Sequence, residues 1–411
     1  MSFIYNLLSD RITNKKSYIS DWLKEKFNNN RPLFYNSVDL RHSGFKVAPV
    51  DNNCFPAGFN NLSNAAKIRA ESISNTFFEI NYPEVKDILI IPENHTRNDK
   101  YLENVLTLQE IIANNPNFNV IIGSLIEDID NKIDIELNCQ KKITLHKIVR
   151  KNNKIITSSG FEADIIISNN DFTNKPDIIL QDLEQNIIPA TNIGWYNRKK
   201  SQHFTIYKSL AEEFCKIIDI DPWLINAFHE DTSNIDFKDK ANIEDLANKT
   251  DLILSNIKSK YKEYNIQLDP YCFIKADSGT YGMAIMTVKS ADDILLINKK
   301  QRNKMNMLKG NIANNNVIIQ EGIPTIDNIN KSPLEPMIYI MNGVVFGNIF
   351  RVNSGRDQNI SLNSTGMEFK NLDNLSIKEL NIGGNINNIL PIYNILGQLS
   401  ALAASIESSA N

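Results

Sequence analysis

Apolar positions recur at helical spacing over the first 30 or so residues: Ile4, Leu7, Leu8 and Ile12, then Ile19, Trp22, Leu23 and Phe27. Residues 31–60 break that period. They hold two short apolar runs with charged residues at their ends, followed by an irregular Pro/Gly stretch. Helical and strand patterns then alternate. Residues 64–78 and 99–114 predict helices, and Asp87–Ile91 and Asn119–Gly123 predict buried strands, an order that favours βα units and a parallel sheet. Short strands follow at Ile133–Leu137, Ile143–Val149, Ile155–Thr157, Ala163–Ile167 and Asp177–Leu180. Helical periodicity returns at 203–218 and 241–264. The remaining apolar runs, 273–288, Val317–Gln320, Met337–Met341 and Val344–Val352, predict a mainly antiparallel set, with Asn342-Gly343 as a hairpin turn. A last helix is expected over about 391–407. The expected class is α/β, becoming α+β in the C-terminal half, with a boundary near 190–200.

The segment Phe273–Val288 carries the most specific chemistry. An apolar run delivers Lys275, a turn with Ser278, Gly279, Thr280 and Gly282 follows, and a second apolar run closes a hairpin. Backbone N–H groups in such a turn can cradle phosphate oxygens, and the Lys supplies a point charge. The Lys precedes the glycines, so this is no Walker A loop. The pattern suggests a nucleotide clamp between two sheet layers; an ordinary hairpin is the rival reading.

Four other segments have polar residues where a ligand would need them. Asp39–Lys46 and Pro49–Asn60 place Arg41, Lys46, Asp51 and Asn53 at strand ends, suited to a small zwitterion. Ile91–Asn98 contributes Glu93, His95 and Arg97 directly after a buried strand, where α/β sheets bind ligands. Trp195–His203 groups Arg198, Lys199 and Lys200 beside aromatics, suited to triphosphate attraction or simply a solvated charge run. Val317–Pro324 ends a strand in Gln320-Glu321-Gly322, whose free backbone groups suit an adenine edge. Arg351 emerges from a later strand close to Arg356, Asn359 and Asn363.

Composition removes several classes. The net charge of −4 favours neither a nucleic acid nor a membrane surface as partner. Four scattered cysteines show no metal or C-x-x-C spacing, which fits reduced thiols in a cytoplasmic protein. No window is expected to reach the apolar length of a membrane span. Asparagine is abundant throughout, so a lone Asn carries little information.

Taken in order, Phe45–Asn61, Gly194–Phe204, Ile274–Val288, Gln320–Pro324 and Arg351–Gly366 resemble the bacterial ATP-grasp type of glutamate–cysteine ligase over most of the chain. The resemblance implies an N-terminal α/β substrate domain over 1–195 and an ATP-grasp domain over 196–411. It also implies ATP and Mg²⁺, with L-glutamate and L-cysteine joined through an acyl phosphate as the first step of glutathione synthesis. Lys275 would contact the ATP phosphates, under a turn formed by Ser278, Gly279, Thr280 and Gly282. Gln320, Glu321 and Ile323 would frame the adenine. Arg351 and Arg356 would stabilise charge in transfer, and Arg41, Lys46, Asp51, Asn53, Glu93 and Arg97 would hold the amino acids. The usual Glu-x-Asn metal pair of that fold is not evident here, leaving Asn363 and then Asn359 as metal candidates. Glutathione synthetase or another carboxylate–amine ligase, and a non-catalytic nucleotide-binding protein, stay open at this point, as does a homo-oligomer.

Overall fold

The computed structural model describes residues 2–95, 97–279, 285–305, 315–371 and 380–410. The N-terminal periodicity becomes two helices, Phe3–Asn14 and Lys16–Asn29, which bury Ile4, Leu8, Ile12, Ile19 and Leu23. The Ser2 hydroxyl caps the first by accepting from the Tyr5 N–H.

Three sheets organise the rest, and their mixed helix and strand content is the α/β class expected. In the central sheet, Glu368–Asn371, Val344–Val352, Ser332–Met341, Tyr35–His42 and Val47–Asn53 follow one another, each antiparallel to the next. A second sheet has a parallel core: Asp87–Pro92 lies between Asn119–Ser124 and Ile165–Asn169. Lys142–Lys151 and Asn186–Ile188 extend it in parallel on either side. The third is a small antiparallel sheet ordered His229–Ser233, Asn316–Glu321, Cys272–Ala276 and Ile285–Val288. The C-terminal strands thus divide between two sheets. Residues 35–53 pair with 332–371, so the halves expected on either side of residue 195 interlock through one sheet.

Several local readings change. Asp177–Leu180 is a single 3₁₀ turn, Ile178–Leu180, capped by the Asp177 carboxylate, which accepts from the Ile179 N–H. His229–Ser233 is a strand with almost no apolar residues, because it lies on a sheet edge with most side chains in water. Asp39 and Asp51 stand on the face of the antiparallel central sheet rather than at the ends of parallel strands. The partner that settles this, Ser332–Met341, lies some 300 residues away in sequence. The final helix, Ile386–Ala410, is long and apolar enough to cross a bilayer by length and composition, contrary to expectation. It packs instead against the central sheet, Phe3–Asn14 and Lys200–Ile218, burying Leu396, Leu399 and Leu402.

Candidate active site

A narrow chamber lies between the central sheet and the small sheet that carries Lys275. The small sheet contributes Phe273, Lys275 and Ile285; the central sheet contributes Asp39, Asp51, Glu335 and Arg351; Lys200 enters from the first turn of its helix. Strand register places these groups. Asp39 is the cross-strand partner of Asp51, and Glu335 of Arg351, so each pair shares one face of the sheet. Arg351 Nη1 donates to Asp39 (2.6 Å) and to Glu335 (3.1 Å), while its buried Nε has no partner among the described residues. Lys200 Nζ donates to Asp51 (2.6 Å) and sits 4.2 Å from the Trp195 ring centroid. Lys275 Nζ donates to the Gln320 side-chain carbonyl (2.7 Å) and the Val50 carbonyl (3.3 Å).

The electrostatics follow from crowding charge into a partly desolvated slot. Burial drives the Lys275 ammonium down to about 8, partly opposed by Asp51 and reinforced by Lys200 and Arg41. Burial works against the Asp51 carboxylate too, yet Lys200 and Lys275 outweigh it and hold its pKa below the ordinary carboxylate value. Asp39 shifts the other way: burial dominates, Asp51 and Glu335 add repulsion, and Arg351 only partly compensates. An anion entering between Lys200, Lys275 and Arg351 would favour the Lys275 ammonium.

The chamber adjoins a larger cavity of about 860 Å³. Asp39, Asp51, Arg351 and Asn363 line both. The larger space lies where Glu93 and His95, after the strand Asp87–Pro92, and Asp171, after Ile165–Asn169, face the central sheet. Carboxyl ends of parallel strands are where such sheets bind ligands. Asn104, buried on the helix Asp99–Ala113, holds the Pro/Gly loop over this cavity by accepting from the Gly58 (2.8 Å) and Phe59 (3.0 Å) N–H groups.

The residues singled out in the sequence divide sharply. Lys275, Gly279, Arg351 and Asn363 line the chamber, and Asn53 and Glu93 line the cavity with Asp51. Arg41 reaches the chamber wall but is saturated: it binds Glu335 (2.6 Å) and donates to the carbonyls of Ile323 (3.0 Å) and Ile360 (2.5 Å). Lys46 and Glu321 line neither space. They form a fully buried pair (2.6 Å), in which Glu321 also accepts from the Trp223 indole (3.1 Å) and the Phe228 N–H (2.9 Å). Burial lowers Lys46 to about 8 despite Glu321. Gln320 is buried under Lys275 with its Nε2 unpartnered among the described residues, and Ile323 is packed against Ala48 and Ala227. Ser278 is half-buried beside Gly279, whereas Thr280 and Gly282 lie outside the described residues. Arg97 is exposed. Arg356 is exposed and bonds Ser364, and the Asn359 side chain closes onto Asp357 in a turn, so none of these three lines the chamber or the cavity. The charge run 198–200 splits as well: Lys200 faces the chamber, but Arg198 is buried. Its fork grips Glu407 (2.8 and 3.1 Å), and it donates to the Asn52 carbonyl (2.6 Å), tying the Asp51 strand to the last helix.

Neither Asp39 nor Glu335 is marked out in the sequence, and Lys200 is marked only as part of the charge run 198–200. Asp39 and Lys200 stood inside segments already singled out; Glu335 had no local signal, since its importance comes from facing Arg351 and Arg41 across a strand pair.

A slot between two sheets, lined by cations and carboxylates and opening on a larger cavity of mixed lining, fits an enzyme that activates one small molecule and joins it to another: a ligase. The chain belongs to the glutamate–cysteine ligase family, whose sequence model matches residues 9–408. It is similar throughout to a Methylobacillus flagellatus protein provisionally described as a gamma-glutamylcysteine synthetase: 37% identity, covering 100% of this chain and 97% of that one, with a TM-score of 0.91. A glutathione synthetase-like effector from Globodera pallida gives 8% identity over 90% of this chain and 84% of that one, TM-score 0.44. D-alanyl-alanine synthetase A from Vibrio cholerae gives 11% over 76% and 80%, TM-score 0.35. Among curated proteins none matches the chain in sequence. The activity is therefore glutamate–cysteine ligation, within glutathione synthesis, and ATP use comes with it.

Proposed function

We propose that ligation here runs through a γ-glutamyl phosphate formed where the two spaces meet, on an ATP-grasp arrangement of the central and small sheets. The observation that carries this is the wall of Asp39, Asp51, Arg351 and Asn363 shared by chamber and cavity. Lys275 and Lys200 would hold ATP phosphates in the chamber, with Gly279, at φ +95°, letting the turn backbone approach them. The γ-carboxylate oxygen of glutamate attacks the terminal phosphorus and ADP leaves. The cysteine amine, having lost its ammonium proton, then attacks the acyl carbon, and phosphate leaves with the C–O electron pair. Arg351, held by Asp39 and Glu335, presents a permanent cation to the charge developing at that junction. The chain's work is positioning and charge stabilisation, as in phosphoryl transfer generally.

Among the described residues no three His, Cys, Asp or Glu side chains gather as a metal site. Mg²⁺, however, takes one or two carboxylates and completes its shell with water and substrate phosphate. Asp39 and Asp51 face each other across one strand pair, and Asn53 lies two residues on, on the same face. These three, with Asn363, fit the ion better than Asn359. When bound it would neutralise phosphate charge.

The test is an isotope experiment. Glutamate carrying ¹⁸O in its γ-carboxylate is turned over with ATP, Mg²⁺ and L-cysteine. One ¹⁸O should appear in the released phosphate alongside γ-glutamylcysteine identified by mass. Product formed with no label in phosphate would overturn the acyl phosphate.

A further inference from the structure

We propose that Met337 and Phe369, with Met367 beside them, form the pocket that selects the thiol of the acceptor amino acid. This rests on the reading that the reaction takes place at the wall shared by chamber and cavity. The acceptor amine must come within van der Waals contact of the acyl carbon there, and a cysteine side chain starts one carbon from that amine. Its sulfur is therefore confined to the immediate surroundings of the junction, whereas the α-carbon end of the glutamate projects several ångströms further off.

Strand register identifies those surroundings. Met337 is the cross-strand partner of Asp39, and Phe369 is the cross-strand partner of Arg351. Directly opposed residues on antiparallel strands share a face with Cβ atoms about 4.5–5.5 Å apart. Both side chains line the cavity, as does Met367. Met337 and Phe369 are thus the apolar cavity residues that strand register sets directly opposite two of the junction charges, Asp39 and Arg351. Elsewhere the cavity carries polar groups, among them Asn53, Glu93, His95 and Lys100, which suit the amino and carboxylate groups of glutamate.

The chemistry fits a thiol. A neutral cysteine side chain behaves as a small hydrophobe, and thioether and aromatic surfaces make favourable contacts with sulfur. Neither Met nor Phe offers a serine hydroxyl the hydrogen bond it would need on leaving water.

The experiment measures kcat/KM for L-cysteine, L-2-aminobutyrate and L-serine with the full-length chain. The wild type should use 2-aminobutyrate within about tenfold of cysteine, and discriminate against serine by about a hundredfold, the usual reach of an apolar pocket against an added hydroxyl. Met337→Gln supplies a hydrogen-bonding group and should narrow the cysteine-to-serine ratio by about tenfold, with KM for glutamate within about twofold. Phe369→Ala is the second variant, since Phe369 is only half-buried, at the edge of the core. It should raise the relative use of acceptors longer than cysteine. Folded variants that keep the wild-type acceptor ratios, or that move KM for glutamate instead, would overturn the assignment. If the wild type makes γ-glutamylcysteine without ¹⁸O transfer, the acyl phosphate falls while an altered acceptor ratio would still support the thiol pocket.

Discussion

Lys275 and Lys46 invite comparison. Both are lysines on or beside strands, both are pushed by burial to about 8, and both face acidic or carbonyl oxygens. Lys46 is sealed. Its ammonium meets Glu321 at 2.6 Å and lies 4.0 Å from the Trp223 ring centroid, and the Glu321 carboxylate is filled by two further N–H donors. Lys275 opens on a chamber shared with Lys200 and Arg351, held among the described residues by a neutral amide and a backbone carbonyl. A lowered pKa therefore does not mark a functional lysine on its own. What separates the two is whether the cation still faces a space that an anion can enter.

The largest effect that would break this comparison is on stability at the sealed pair. Glu321→Ala strips the buried Lys46 of its counter-ion, and should cost about 3–5 kcal/mol in urea unfolding. The fraction that stays folded should turn over ATP nearly as the wild type does. A stable Glu321→Ala enzyme that has lost ATP binding would instead put this pair in the nucleotide site. The opposite pattern is expected at the open lysine. Lys275→Ala should lower kcat by about 10²–10³-fold, the loss seen when one preorganised charge-stabilising donor is removed, while its unfolding midpoint stays close to wild type. Undiminished turnover in that variant would sink the role given to Lys275.

A smaller effect sharpens the comparison through pH. Free Lys275 loses its proton near pH 8, against an ordinary value of 10.5. Bound phosphate favours the ammonium, so ATP binding takes up a proton above pH 8. ATP affinity should then be flat below that pH and weaken by up to about tenfold per unit above it, until the bound-state value is reached. Calorimetric titration of Lys275→Arg, whose charge is permanent, should lose this slope. Stability has the opposite sign. The unfolded lysine keeps its proton up to 10.5, so the destabilising burial of the charged form is relieved as pH rises through 8.

Much of the fold was legible because it is written in short-range periodicity. The helices at the N-terminus, the buried parallel strands, the Lys275 hairpin and the Asn342-Gly343 turn, with φ of +50° and +73°, all follow from neighbours within a few residues. The types of chemistry were legible too: a strand lysine before a glycine turn, a carboxylate at 51, an arginine at a strand end. The use made of each charge was not. Arg41, Lys46 and Arg198 look in sequence like Lys200, Lys275 and Arg351. Their fate depends on Glu335, Glu321 and Glu407, which lie between 209 and 294 residues away. Side-chain type and periodicity are local properties that the chain carries unfolded. Which cation is neutralised in the interior, and which is left facing a cavity, depends on distant strands meeting in register, and that the tertiary structure alone decided.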